Sequence, residues 1–276
     1  MTGTAAPARE LATRGGETVR AFWTKLEDEA AAWSLPRGAG PALFLLPLVG
    51  APLVVASRVD KSLFLAITDE DRLLEWLQFF GFAAASVLAA LCAVRLRARG
   101  RGWLALAYLV FAIGCFGIAG EEIAWGQRIF GFGTPEALEK INEQEEVTVH
   151  NINSVQNVAN LVFLLAGLYG SVGAWLIRRR LRGRRSETVD YLVPPLFLTA
   201  AFFVVFVYKI VRAAVLTESG FTITQIGEWP EFCLALGFSA FAFVVLRRLT
   251  VGWSGSHGPD SSIAWEHPRG LERGAD

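Results

Sequence analysis

Two stretches of the chain are dense in groups that hold cations and move protons. The first is Gly120-Glu121-Glu122-Ile123-Ala124-Trp125-Gly126-Gln127-Arg128-Ile129-Phe130-Gly131. The second is Asn142-Glu143-Gln144-Glu145-Glu146-Val147-Thr148-Val149-His150-Asn151. In helical geometry Glu146 and His150 are four residues apart on one face, so both could ligate one cation, or the carboxylate could orient the imidazole. Asn153, Asn157 and Asn160 continue near that stripe, and hydrogen bonding between helices is the plainer use of such a stripe. If the helix that reaches Glu121 continues through the first stretch, steps of about 100° per residue place Glu121, Trp125 and Arg128 together and turn Glu122 away. That predicts a structural Glu121–Arg128 ion pair, buried or solvated, and leaves Glu122 for another partner.

Further acids and bases lie near the ends of apolar runs. Asp69, Glu70, Asp71 and Glu75 precede or open one run, and Glu228 and Glu231 flank Pro230 at the start of another. Tyr208, Lys209 and Arg212 close a third, where they could pair with these acids or hold an anionic head group or substrate. Carboxylates at a membrane boundary cost several kcal/mol unless paired, metal-bound or hydrated, so they are functional candidates. The expected metal ligands are Glu75, Glu122, Glu146, His150, Glu228 and Glu231. The expected catalytic groups are Glu122, Glu146 and His150, and Lys209, Arg212 and Trp125 are expected to touch substrate. One histidine among carboxylates suits a hard or borderline divalent ion such as Mg, Mn, Fe or Zn.

The elements that must position these groups follow from composition. Of 276 residues, 53% are hydrophobic and 19% charged, and the mean hydropathy is +0.40. This excludes a disordered chain and an ordinary soluble enzyme. The 26 Lys and Arg balance the 26 Asp and Glu, which gives no basic field for nucleic acid. Apolar runs at about 41–59, 73–94, 103–119, 155–177, 190–212 and 230–250 reach the roughly 20 residues that a helix needs to cross a bilayer. The fold class is therefore all-α, a polytopic bundle of six transmembrane helices. Residues 1–40 form an N-terminal segment without a signal-peptide pattern, so the first span is expected to act as its own insertion signal. Within that segment, residues 17–33 carry an apolar stripe that suits either a helix on the membrane surface or a solvated leader. A short helix is expected at about 135–143 behind Thr134-Pro135. The tail 251–276 is expected to be disordered. Cys92, Cys115 and Cys233 all fall inside spans and read as small packing residues.

Three motifs carry a resemblance. Asp71…Glu75-Trp76, the Gly120–Gly131 stretch, and Asn142-x-Gln144-x-Glu146-x-x-x-His150-Asn151 together resemble a family of uncharacterised bacterial polytopic membrane proteins. This chain has Ala124 where that family is expected to carry Ser, so it lacks a hydroxyl there. The resemblance groups these residues without implying a reaction.

Most Lys and Arg outside the spans lie in the N-terminal segment, residues 95–102, residues 178–188 and the tail, which predicts both termini in the cytoplasm of a multi-pass inner (cell) membrane protein. Three functions compete. One is a metal-dependent enzyme acting on a lipid or lipid-linked substrate at the outer face. Another is a cation- or proton-coupled transporter, and the last is a structural or accessory subunit. In a background lacking the three native cysteines, single cysteines at positions 99 and 184 should resist impermeant maleimide applied from outside, whereas one at position 139 should react. The reverse pattern would invert the orientation.

Overall fold

The computed structural model describes residues 5–135, 147–148, 153–181, 186–214 and 220–251, without the side chains of residues 5–15, 128, 153 and 154. Glu146, His150, the helix expected at 135–143 beyond Pro135, and the tail from 252 onward fall outside these residues. Among the described residues all regular structure is helical, because a chain in hydrocarbon must satisfy its own backbone. Six helical segments are long and apolar enough to cross a membrane. They are Ala39–Val59 (span 1), Lys61–Ala98 (span 2), Gly102–Glu122 (span 3), Val155–Arg180 (span 4), Glu187–Ala214 (span 5) and Phe221–Val251 (span 6).

Spans 2, 5 and 6 depart from the apolar pattern, span 6 by starting at Phe221 with the short helix Phe221–Ile226. Span 2 begins at Lys61 rather than near residue 73, because Lys61–Thr68 forms a helix of its own. Asp60 caps it by accepting bonds from the Ser62 and Leu63 amides at 2.9 and 3.2 Å. The Ser62 hydroxyl and these amides hold the Asp60 carboxyl below the usual aspartate range. The chain then turns through Asp71, whose φ is 57°, and the Asp71 amide donates to the Glu75 carboxylate. Span 5 is two helices, Glu187–Leu192 and Thr199–Ala214, separated around Val193-Pro194-Pro195. Proline cannot donate to the helical ladder, so the break follows from sequence.

Span 3 packs along span 2, span 2 along span 6, span 6 along span 5 and span 5 along span 4, while span 1 stands against spans 5 and 6. The result is an arc, 3-2-6-5-4, whose two end members do not pack along each other among the described residues. Close approach between spans depends on small residues. A Cβ on Gly170 would meet the Phe202 ring at 2.2 Å, and one on Gly50 would meet Trp229 at 1.9 Å. The middle of the concave side is filled by rings. Phe238 meets Phe111 edge-on at 5.0 Å, Phe202 at 5.9 Å and Phe82 at 6.3 Å between centroids.

One end of the bundle gathers arginines and closes tightly. Arg178 of span 4 donates to the Pro194 and Val193 carbonyls at 2.9 and 2.6 Å and approaches Glu29 at 3.5 Å and Asp190 at 3.7 Å. Arg248 of span 6 pairs with Asp190 at 2.6 Å, donates to the Ala32 carbonyl at 3.2 Å and lies 3.8 Å above the Trp33 ring. Through these contacts the N-terminal helix Ala5–Ala32 is docked on the bundle, with Leu26, Ala30 and Trp33 buried in the common core. Glu29 accepts the Leu196 amide at 2.7 Å, and burial pushes its carboxyl up despite Arg178. Span 3 joins at the same end, where the Tyr108 hydroxyl donates to the Tyr191 carbonyl at 2.7 Å.

Asp190 is shared by two arginines, and the Arg248 side chain is only 7% exposed. Removing a partner that neutralises a buried charge costs about 3–5 kcal/mol. Asp190→Ala should therefore lower the thermal midpoint in mild detergent sharply. Adding Arg248→Met should restore part of the loss, a pattern a solvated contact would not produce.

Candidate functional site

At the opposite end the arc is hollow. A cavity of about 570 Å³ is lined from spans 2 to 6 by Asp69, Glu70, Glu75, Glu121, Glu122, Glu228 and Glu231, together with Lys209, Arg212, Asn160, Gln156, Trp125 and Phe163. Among the described residues, its wall thus carries seven carboxylates and two cationic side chains. It lies toward the acidic end from the Phe238 ring cluster, since Glu231 precedes Phe238 by two helical turns on span 6. Of the sequence-derived candidates, Glu75, Glu121, Glu122, Trp125, Lys209, Arg212, Glu228 and Glu231 all come to this one cavity. Glu146 and His150 lie outside the described residues.

The turn after span 3 differs from the expected continuous helix. The helix ends at Glu122, and Ala124, Trp125 and Gly126 take φ values of 44°, 53° and 81°. A left-handed conformation costs roughly 1–2 kcal/mol for a residue with a Cβ, so tertiary contacts must hold it. Trp125 folds back over Gly120, where an added Cβ would meet the indole at 2.9 Å, and its Nε1 donates to Glu121 at 2.7 Å. The indole also meets Phe116 edge-on at 6.0 Å. Glu121 and Trp125 therefore pair through a reversed turn rather than along one helical stripe. The side chain of Arg128 is outside the description, so the expected Glu121–Arg128 pair is too. Gln127 follows the turn, accepts the Val147 amide at 2.7 Å and donates to the Thr134 hydroxyl at 2.8 Å. These bonds bring Thr134 and Val147 back to the turn.

Lys209 and Glu231 form the internal pair of the cavity. The Lys209 ammonium is 2.9 Å from the Glu231 carboxylate and donates to Asn160 at 2.8 Å, with the Phe163 ring 5.1 Å away. Lys209 is 5% exposed, so these groups replace its water. Glu231 thus serves lysine neutralisation as well as any cation. Arg212 stands beside the Tyr208 hydroxyl, which donates to the Ile223 carbonyl at 2.9 Å.

Glu228 is oriented by a residue absent from the candidate set. Gln78 is fully buried, and its Nε2 donates to the Glu228 carboxylate at 2.8 Å and to the Glu228 carbonyl at 3.1 Å. Gln78 Oε1 has no hydrogen-bond partner among the described residues. An amide one turn beyond Glu75 in an otherwise apolar helix was the available signal. Gln225, which donates to Asp69 at 3.3 Å, had no comparable signal.

Glu122 differs from its neighbours. It lines the cavity, lies within electrostatic reach of Glu231, Glu228, Glu75 and Glu121, and makes no hydrogen bond among the described residues. Carboxylates gathered on one wall are relieved either by protonation or by a counter-charge beyond Lys209 and Arg212. Among the described residues, no group of three His, Cys, Asp or Glu side chains is arranged to hold a metal ion. The expected metal set is therefore not assembled by Glu75, Glu122, Glu228 and Glu231 alone: they share the cavity wall, with Glu231 turned to Lys209 and Glu228 to Gln78. No family model, curated protein or solved structure matches the chain.

Lys209→Ala should leave Glu231 without its cation and destabilise the protein by about 3–5 kcal/mol. Lys209→Met combined with Glu231→Gln should recover much of that. A Lys209→Ala midpoint equal to the parent would show a hydrated, expendable pair.

Proposed function

We propose that this multi-pass membrane protein is an enzyme that acts on a lipid or lipid-linked substrate at the outer face of the inner (cell) membrane, using the acid-lined cavity as its site. The single observation that carries the reading is Glu122, a carboxylate on the cavity wall beside other acids and without a hydrogen-bond partner among the described residues. The distribution of arginine supports placing the acidic end outside.

In this reading a divalent ion supplies the missing counter-charge. Glu122 together with one other carboxylate of the wall would offer it oxygen ligands, and Glu146 and His150 are the further ligands that the sequence suggests. Such an ion, when bound, would supply Lewis-acid activation of an ester or phosphate, while a cavity carboxylate not engaged with it would take the proton of an attacking water as the bond to the leaving oxygen breaks. Arg212 would face the anionic part of the head group, and Lys209 would keep Glu231 in place. Gln78 acts as a positioning residue for Glu228.

The transporter reading needs a polar path past the Phe82, Phe111, Phe202 and Phe238 rings, which fill the concave side beyond the cavity. The accessory reading draws on Lys209, Asn160 and Glu231, which tie spans 4, 5 and 6 together by hydrogen bonds that membrane bundles use for cohesion alone.

Protein purified in mild detergent without chelator should carry close to one divalent ion per chain by elemental analysis. Glu122→Gln and His150→Ala should each lower that occupancy by about tenfold, which from near-full loading requires roughly a hundredfold weaker binding, about 2.8 kcal/mol, while melting near the parent temperature. Metal-free parent protein would remove the metal-dependent reading.

A further inference from the structure

Spans 3 and 4 both line the cavity, yet they belong to opposite ends of the arc and do not pack along each other among the described residues. The aromatic cluster fills the bundle beyond the cavity, and Tyr108 ties span 3 to span 5 near the arginine end. Among the described residues, a gap between spans 3 and 4 is therefore left at the level of the cavity, within segments long and apolar enough to cross a membrane.

The span 3 side of this gap is smooth. Gly117 lines the cavity, and a Cβ built on it or on Gly114 meets nothing within 4 Å. On the span 4 side stand Ala159 and Phe163. At the top, Trp125 lines the cavity with its ring edge-on to Phe116, a residue 61% exposed on the surface of span 3. One indole thus joins the acid-lined wall to the exposed apolar surface of span 3. Amphipathic rings at such a boundary accommodate a polar group on one side and an acyl chain on the other.

We infer that the cavity is entered sideways from the bilayer through the gap between spans 3 and 4, and that its occupant is a membrane amphiphile whose head group lies among the carboxylates while its hydrocarbon tail remains in the lipid along Gly114 and Gly117. This rests on the lipid-substrate part of the proposed function and adds the route and the position of the tail. Entry from lipid suits the geometry because the tail never leaves hydrocarbon and only the head group exchanges its surroundings for polar ones. Gly117 leaves this passage open, since the space at its Cβ is empty and a large side chain there would occupy it.

The test reconstitutes the full chain in vesicles containing a phosphatidylethanolamine with a diazirine in its acyl chain, followed by irradiation and peptide mass spectrometry. Labelling is expected at Gly114, Ala159 and the buried Phe163, as well as on the outward face of span 3. Gly117→Phe should lower labelling of Ala159 and Phe163 about tenfold, equivalent to 1.4 kcal/mol in occupancy, and leave labelling of the exposed Val110 unchanged. Gly117→Ala should retain the parent pattern, which separates blockage from misfolding. Labelling confined to Val110, Phe116 and similar exposed residues, and indifferent to Gly117→Phe, overturns the inference. Deep labelling in a protein that proves metal-free keeps it and removes only the metal. A metal that depends on Glu122, with no deep labelling, does the opposite.

Discussion

A break in a helix within a packed bundle must have its freed carbonyls answered, because a buried backbone group without a partner costs free energy comparable to a lost hydrogen bond. Pro194 and Pro195 break span 5, and Arg178 from span 4 answers by donating to the Val193 and Pro194 carbonyls. The guanidinium so placed needs its own counter-charges, which Asp190 and Glu29 supply. Asp190 in turn holds Arg248, which reaches the carbonyl of Ala32 and the ring of Trp33. One interruption therefore couples spans 4, 5 and 6 to the N-terminal helix.

That coupling makes the two ends of the bundle unlike. At the arginine end, acids and bases occur together and their hydrogen bonds cross between elements, so the helices converge. At the other end acids outnumber bases along the cavity wall. Like charges held at a low-dielectric boundary repel one another and draw in water or a counter-ion, which favours a hollow over a packed core. The aromatic cluster around Phe238 separates the two regimes.

Within the cavity, polar groups divide by what they already hold. Lys209, Asn160 and Glu231 satisfy one another across three spans, and Gln78 satisfies Glu228 across two. These bonds set where side chains point, and they explain why several acids stay together instead of turning to separate surfaces. Glu122 is not used in this way among the described residues. The strained turn that follows it places Trp125 against Glu121 and Phe116, so the same few residues join the acid-lined wall to the exposed apolar face of span 3.

The all-α character and six apolar segments were legible in the sequence, because the length needed to cross hydrocarbon and the obligation to satisfy the backbone locally are properties of single helices. So was the gathering of acids at one boundary, since consecutive spans alternate direction and return their ends to the same side. The run at 190–212 reads as one span, and the interruption at Pro194–Pro195 emerged only in the folded chain, although proline's missing N–H is its local cause. What answers that break was not legible: Arg178 is remote in sequence from Val193, and Trp33 gives no local sign of lying under Arg248. The turn at Ala124–Gly126 also required the folded chain, because helix periodicity continues through Glu121 and Arg128 and only packing of the indole on Gly120 shows the reversal. Lys209 could have faced any of several acids, and its choice of Glu231 and Asn160 depends on which helices are neighbours. Periodicity states which residues share a face of one helix. The order 3-2-6-5-4, and with it the gap between its ends, is decided by contacts between faces that no single segment specifies.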